Sequence, residues 1–166
     1  MYKFCPNCGF DLGGRFDTFR CNSCKKSFYA NSKPTATIIP IYKGEVLLGV
    51  RGKDPQKGKL DFIGGFLDYG EDPLAGAVRE FEEETGVMID KKDLTFFDIY
   101  MDSYEFEGVV YQLLNVIYIL HVKEKLPVVA ADDVESLVWL PITPSLDLAF
   151  KHQNLIIEQL CKSETR

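Results

Sequence analysis

Between positions 71 and 84 the chain sets one cation, Arg79, among six carboxylates, of which Glu71, Glu80, Glu83 and Glu84 have the spacing that could do chemistry. In a helix of about 3.6 residues per turn, Glu80 stands three and four residues from Glu83 and Glu84, so three like charges share one side. That arrangement costs stability in an ordinary helix. Arg79 neutralises only part of the charge, and the remaining cluster of hard oxygens suits Mg²⁺ or Mn²⁺ held together with waters and phosphate oxygens. The competing reading is an acidic face that meets only solvent.

The elements that must position these groups are legible around them. Asp72 suits an N-cap, Pro73 the first helical position and Gly86 a left-handed C-terminal stop, so the sequence predicts a helix over 73–85. Leu74, Ala77, Val78 and Phe81 would form its apolar stripe. The preceding segment reads as a loop, in which Gly64 and Gly65 allow close approach of backbone to a ligand and Glu71 can reach back to brace the turn.

Residues 64–87 resemble the Nudix box: Gly65, then Glu71, Arg79, Glu80, apolar Phe81, Glu83, Glu84, Gly86 and Val87, with every spacing met. The resemblance implies an α/β fold, an α/β/α sandwich with a mixed sheet. It also implies hydrolysis of the diphosphate linkage of a nucleoside diphosphate joined to another moiety, of ADP-ribose, dinucleotide or nucleotide-sugar type. Glu80, Glu83 and Glu84, with the Gly64 carbonyl as a further implied ligand, would hold Mg²⁺ or Mn²⁺, and a metal-activated water would attack in line. Arg79 would orient the glutamates. Glu80 is one candidate general base, and Glu135, just upstream of Trp139, is another; Glu135 also reads as a plain surface residue. The family's Trp-x-x-Pro-Gly-Gly approach to the box is altered here, with Leu60 and Ile63 in place of Trp and Pro.

A second set of ligands lies at the N-terminus. Cys5 and Cys8, then Cys21 and Cys24, are two CxxC pairs separated by twelve residues, the spacing of a four-thiolate Zn²⁺ site with no open position for catalysis. A piece this small has too little core to fold without such a staple. Disulfides are the weaker reading, because the first residues lack the apolar stretch of a secretory signal and the expected location is the cytoplasm. Phe16, Phe19, Phe28 and Tyr29 would supply the ribbon's small core. Its five cations against two acids give a formal +3, which leaves −9 for the rest of a chain of net charge −6. A basic ribbon admits a nucleic-acid contact, and a few solvated lysines explain it equally well.

The chain therefore divides into a zinc ribbon at 1–30, a linker at 31–36 and a Nudix domain at 37–162. A ribbon followed by this box also resembles the NADH diphosphatases, although residues 91–107 lack the proline- and tryptophan-bearing array of that group. Strands are expected over 35–42, where Pro40 argues for a bend, bulge or edge, and over 45–50, 60–63, 94–104, 109–122 and 134–140. A closing helix is expected over 144–162, on Leu148, Leu155, Ile156 and Leu160. The longest apolar run, 109–120, is broken by Gln112 and Asn115 and falls short of a membrane span.

Substrate contacts are harder to read. The cationic loop 51–59, beginning with Arg51, suits an anion, or simply solvent. Tyr104, Phe106 and Tyr69 are candidates to stack on a base, with core packing as the alternative; a Tyr near position 104 occurs in some dinucleoside polyphosphate hydrolases. His121 and His152 have no partner that spacing identifies. A homodimer is plausible for the family. A different class of function, a ligand-sensing or nucleic-acid-binding regulator that uses the ribbon, has no need for three mutually repelling glutamates.

Overall fold

β-Branched and aromatic residues dominate 33–51 and 94–121, and these stretches build the sheet on which everything else is mounted. The computed structural model describes residues 2–15, 18–132 and 134–164; Phe16, expected in the ribbon core, lies outside them. Four short strands come first: β1 (Tyr2–Phe4), β2 (Asp11–Arg15), β3 (Phe19–Arg20) and β4 (Ser27–Phe28). There follow β5 (Lys33–Tyr42), β6 (Glu45–Arg51), β7 (Leu60–Asp61), β8 (Ile63–Phe66), helix α1 (Pro73–Thr85), β9 (Leu94–Phe106), β10 (Val109–His121), β11 (Val134–Pro141) and helix α2 (Lys151–Glu164).

The main sheet runs β11-β6-β5-β10-β9, with β7 added to β6 and β8 to β5. Only β5 and β10 pair in parallel, so the sheet is mixed. Side chains alternate across a strand, and β5 shows both faces buried. Ile39 and Ile41 pack with Ile156, Ile157 and Leu160 of α2, while Ala36 and Ile38 pack with Ala77 and Phe81 of α1. The two helices thus cover opposite faces, as the resemblance implied.

Several local expectations are corrected. β5 begins at Lys33, inside the segment read as a linker, because Lys33 and Pro34 pair with Leu113 and Leu114. Pro40 is fully buried in this central strand, not at an edge. Beside it, β5 changes partner from β8, whose ladder stops at the Ile38–Ile63 pair, to β6, whose ladder starts at the Ile41–Val46 pair, so the missing N–H falls at a gap between ladders.

Gly64 and Gly65 are strand, not loop, paired with Thr37 and Ala36. The approach of β5 is what requires glycine at 64: its φ is 148°, and a Cβ there would lie 2.2 Å from the Ala36 carbonyl oxygen. The closing helix starts at Lys151 rather than 144, since Leu148 bridges Leu60 and the Ala149 N–H donates to the Leu60 carbonyl (2.8 Å). That bridge places Leu148 in the core without a helix. Leu155, assigned to the apolar stripe, is exposed; His152 and Gln153 are buried instead.

The N-terminal strands frame two like turns. Gly9 N–H donates to the Cys5 carbonyl (2.9 Å) and Lys25 N–H to the Cys21 carbonyl (3.0 Å), so each CxxC pair sits in the same tight knuckle. Phe19 stacks on Phe28 (centroids 5.2 Å apart) and meets Tyr2 (5.7 Å), whereas Tyr29 is exposed and adds nothing to this core.

Candidate active site

Helix α1 is anchored at both ends as its sequence requires. Asp72 Oδ1 accepts from Ala75 N–H (3.0 Å), and Gly86, left-handed at φ 70°, donates its N–H to the Glu82 carbonyl (2.8 Å). Phe81 and Thr85 are sealed beneath, which fixes the helix's rotation and turns Arg79, Glu80, Glu83 and Glu84 toward β8 and the preceding turn.

Arg79 is the hub. Its Nε and Nη2 hold Glu71 Oε1 and Oε2 at 2.9 and 2.8 Å, a two-pronged pair, and Nη1 holds Glu80 Oε1 at 2.7 Å and Glu83 Oε2 at 3.0 Å. Nη2 also reaches the Phe66 carbonyl (3.2 Å). Glu71 Oε2 in turn accepts the Asp68 N–H (2.9 Å), so one guanidinium ties the turn after β8 to the helix. These bonds hold the Glu71 carboxyl down at about 2, the Arg79 contact first and the Asp68 N–H second, and they raise Arg79 further above its usual range.

The other glutamates face inward. Glu80 lies against Gly65 so closely that a Cβ there would sit 2.5 Å from its Oε2. Glu84 Oε2 accepts the Gly64 N–H (3.0 Å). Burial raises the Glu80 carboxyl even with Arg79 beside it, and burial together with the charges of Asp61, Glu80 and Asp132 pushes Glu84 up to about 8. Carboxylates raised chiefly by burial and further by one another's charge, with hard oxygens and a strand backbone alongside, suit a divalent cation.

Glu80 and Glu84 form one side of a cleft of about 600 Å³ floored by Thr35, Thr37 and Asn115. The opposite wall was largely invisible in the sequence. Arg51 reaches it, but its guanidinium is paired with Asp61 (2.5 Å), donates to the Pro55 carbonyl (2.8 Å) and lies over the Phe150 ring (5.1 Å). Gln153 also donates to Asp61, whose carboxyl is raised by burial against the pull of Arg51. His152 Nδ1 meets Asp102 Oδ2 at 2.6 Å. Tyr104 and Phe106 do line the cleft, stacked on each other at 6.1 Å and 21°, with Phe66 and Phe150 each 5.9 Å from Tyr104.

Two candidates are not brought in. Glu135 is exposed at the start of β11, and among the described residues of this region it is Asp132 that lines the cleft. Tyr69 is fully exposed in the turn before α1 and is no part of the lining. His121 ends β10 facing out. Of the wall residues that spacing missed, only Asp61 left a trace, a lone charge inside the apolar stretch 60–63. Asp102 and His152 lie fifty residues apart and left none.

In the ribbon, the four cysteine sulfurs lie within 4.8 Å of one another, with Cys5–Cys24 at 3.7 Å and Cys8–Cys21 at 3.8 Å. These separations are far beyond an S–S bond of about 2.05 Å and match the edge of a tetrahedron with metal–sulfur bonds of about 2.3 Å. All four are free thiols, so the geometry is that of a metal site rather than of disulfides.

Comparison with known proteins agrees with this geometry. Over 98 residues the chain is 29% identical to the NAD-capped RNA hydrolase NudC of Vibrio parahaemolyticus, an alignment covering 57% of this chain and 36% of that protein. The chain thus spans about a third of the length of this curated relative. A NUDIX hydrolase from Nitrosomonas europaea superposes with a TM-score of 0.63 at 23% identity over 95% of this chain and 92% of that one. The NUDIX domain of Shewanella oneidensis NrtR, solved with ADP ribose, superposes at 0.64 and 20% identity over 81% and 90%. The NUDIX domain family model matches residues 32–158, a span that holds the whole sheet and the Arg79-centred carboxylates, and the chain belongs to the Nudix family.

Proposed function

We propose that the chain is a Mg²⁺- or Mn²⁺-dependent hydrolase that cleaves the diphosphate linkage between a nucleoside and another moiety, of ADP-ribose, dinucleotide or nucleotide-sugar type. The observation that carries this reading is the Arg79 hub, which holds Glu80 and Glu83 on α1 while Glu84 is fixed on the Gly64 N–H at the cleft. Glu80, Glu83, Glu84 and the Gly64 carbonyl would hold the divalent ion, which when bound supplies charge neutralisation of the diphosphate and acidification of a water. Glu71 braces the turn through Arg79, and the chain needs no Ser or Cys nucleophile, because phosphoryl chemistry rests on positioning and charge. Tyr104 and Phe106 offer a ring surface for a base, and Arg51 and Asp61 a fixed polar wall beside it.

Two observations support the substrate class. The V. parahaemolyticus relative acts on NAD-capped RNA and the S. oneidensis domain binds ADP ribose, both with a diphosphate joining a nucleoside to another group. The ribbon (1–30) would hold structural Zn²⁺ ahead of a short linker (31–36) and the catalytic domain (37–162), and reduced thiols suit a cytoplasmic protein. Four thiolates around one Zn²⁺ add two negative charges to the ribbon's +3, which removes most of the basicity on which a nucleic-acid-binding role would rest. No helix among the described residues is long and apolar enough to cross a membrane.

The test is turnover of a panel comprising ADP-ribose, NADH, NAD, FAD, dinucleoside polyphosphates, nucleotide sugars and dNTPs, with phosphate released by a coupled phosphatase. Activity concentrated on one class names the substrate. No turnover anywhere, with Mg²⁺ shown to bind, overturns the hydrolase and favours a ligand-sensing role.

A further inference from the structure

The proposed reaction needs a group to take a proton from the attacking water, and the carboxylates of α1 are poorly placed to do so. Glu80 and Glu83 are bound to Arg79, Glu84 is bound to the Gly64 N–H, and under the proposed function all three would ligate the cation. Asp61 is bound by Arg51 and Gln153, and Asp54 and Asp132 are exposed at the rim. Burial raises Glu80, Glu84 and Asp61, but their oxygens are engaged by hydrogen-bond donors or would ligate the ion, and a lone pair so engaged is not aimed at the attacking water.

His152 differs from all of these. It is buried, lines the cleft, and uses Nδ1 on Asp102 while its Nε2 has no hydrogen-bond partner among the described residues. Asp102 also accepts the N–H groups of Ser103 (2.7 Å, at Oδ1) and His152 (3.4 Å, at Oδ2). Although burial raises its carboxyl, these bonds prevail and hold it below the usual range, so it stays ionised. An ionised Asp102 keeps the proton on Nδ1 and leaves the Nε2 lone pair free. Phe150 (centroids 6.2 Å apart, 20°) and Tyr100 (6.4 Å) flank the ring, and the Nδ1 bond to Asp102 sets its orientation.

We propose that His152 is the general base of the hydrolase described above, with Asp102 as the residue that positions it. Nε2 takes one proton from water as the water oxygen bonds to phosphorus. The bridging P–O bond breaks with its electron pair leaving on the departing phosphate, and the imidazolium then gives its proton to that phosphate or to solvent. Asp102 and Tyr100 from β9 and Phe150 lie against the ring, Asp61 from β7 is within electrostatic reach of it, and Arg51 from β6 and Gln153 hold Asp61. The inference rests on the hydrolase reading, and a purely structural role, a tether between β9 and the start of α2, is its competitor.

The experiment is His152→Ala in the full chain, assayed on the best substrate of the panel with and without added imidazole. The expected result is a fall in kcat of about 10²–10³ with KM nearly unchanged, and recovery of at least about tenfold when imidazole is added, growing with the fraction of free imidazole base. A tether would not be replaced by a diffusible base. Asp102→Asn, which can donate to Nδ1 and so favour the tautomer with a proton on Nε2, should lose activity without being rescued.

A His152→Ala enzyme that keeps kcat within about threefold, or that loses it and is not rescued while remaining folded, overturns the assignment. Should the variants fail to fold, the wild type decides. With Mg²⁺ kept saturating at every pH, so that protonation of Glu84 does not limit the metal, a kcat/KM that does not fall as the pH is lowered from about 8 to about 5 overturns it, and an acid limb that persists under saturating metal supports it. A wild type inert on every diphosphate overturns the hydrolase reading itself, a result distinct from an active His152→Ala.

Discussion

Arg79 and Glu71 are joined by two parallel bonds, Nε to Oε1 at 2.9 Å and Nη2 to Oε2 at 2.8 Å, and the same guanidinium extends its third nitrogen to Glu80 and Glu83. A turn residue, the cleft-lining Glu80 and the exposed Glu83 are therefore oriented by one side chain.

Lysine cannot reproduce this fork. Arg79→Lys is expected to fold and to lose at least about tenfold in kcat/KM, the cost of misplacing a second layer around a metal. Circular dichroism and steady-state kinetics check it; unchanged kinetics would show that the glutamates hold their positions without the fork.

The two glycines of β8 separate by readout. Gly64→Ala would drive a Cβ to 2.2 Å from the Ala36 carbonyl at a φ that side chains rarely adopt, so it is expected to destabilise the fold by more than about 2 kcal/mol. Gly65→Ala meets the movable carboxylate of Glu80 at 2.5 Å and should weaken Mg²⁺ binding more than it lowers Tm. Denaturant titration and calorimetric metal titration distinguish them.

Glu84 carries a pH signature. Its carboxyl is raised from 4.5 to about 8 in the folded chain, so between those values the unfolded state binds fewer protons and stability falls as pH rises. The metal-free protein should have a higher Tm near pH 5 than near pH 8, and Mg²⁺ should raise Tm more at the higher pH, where binding displaces less proton. A metal-free Tm that climbs steadily from pH 5 to 8 would count against it.

The ribbon should bind one Zn²⁺ per chain. Cys21→Ser, at a fully buried sulfur, is expected to abolish stoichiometric zinc by elemental analysis and to raise the chain's susceptibility to proteolysis within residues 1–30. Zinc retained in the variant would point to a site elsewhere.

What could be read from the sequence was whatever is local. The helix 73–85 was legible because Asp72, Pro73 and Gly86 each act on their own turn, and the Arg79 hub because its carboxylate partners lie within eight residues on one helix and its approach. The opposite wall is assembled from β6, β7, β9 and the start of α2, so Arg51, Asp61, Asp102 and His152 meet only after the sheet forms. Leu148 misled for a related reason: its spacing mimics a helix, while a backbone bridge to Leu60 is what buries it. Pro40 was a sound signal of a broken ladder, but the break lies between two partners in the sheet's interior.

The most direct test of the account is a Mg²⁺ titration of turnover for the wild type beside Glu83→Gln, using the preferred substrate. Glu83 is exposed and contributes one of several bonds to Arg79, so the variant should fold. The account predicts that the wild type saturates with Mg²⁺, while the variant loses at least about 10²-fold in kcat and needs more metal to reach even that rate. Equal turnover with equal Mg²⁺ dependence in the two proteins would contradict the claim that the carboxylates of α1 hold the catalytic ion.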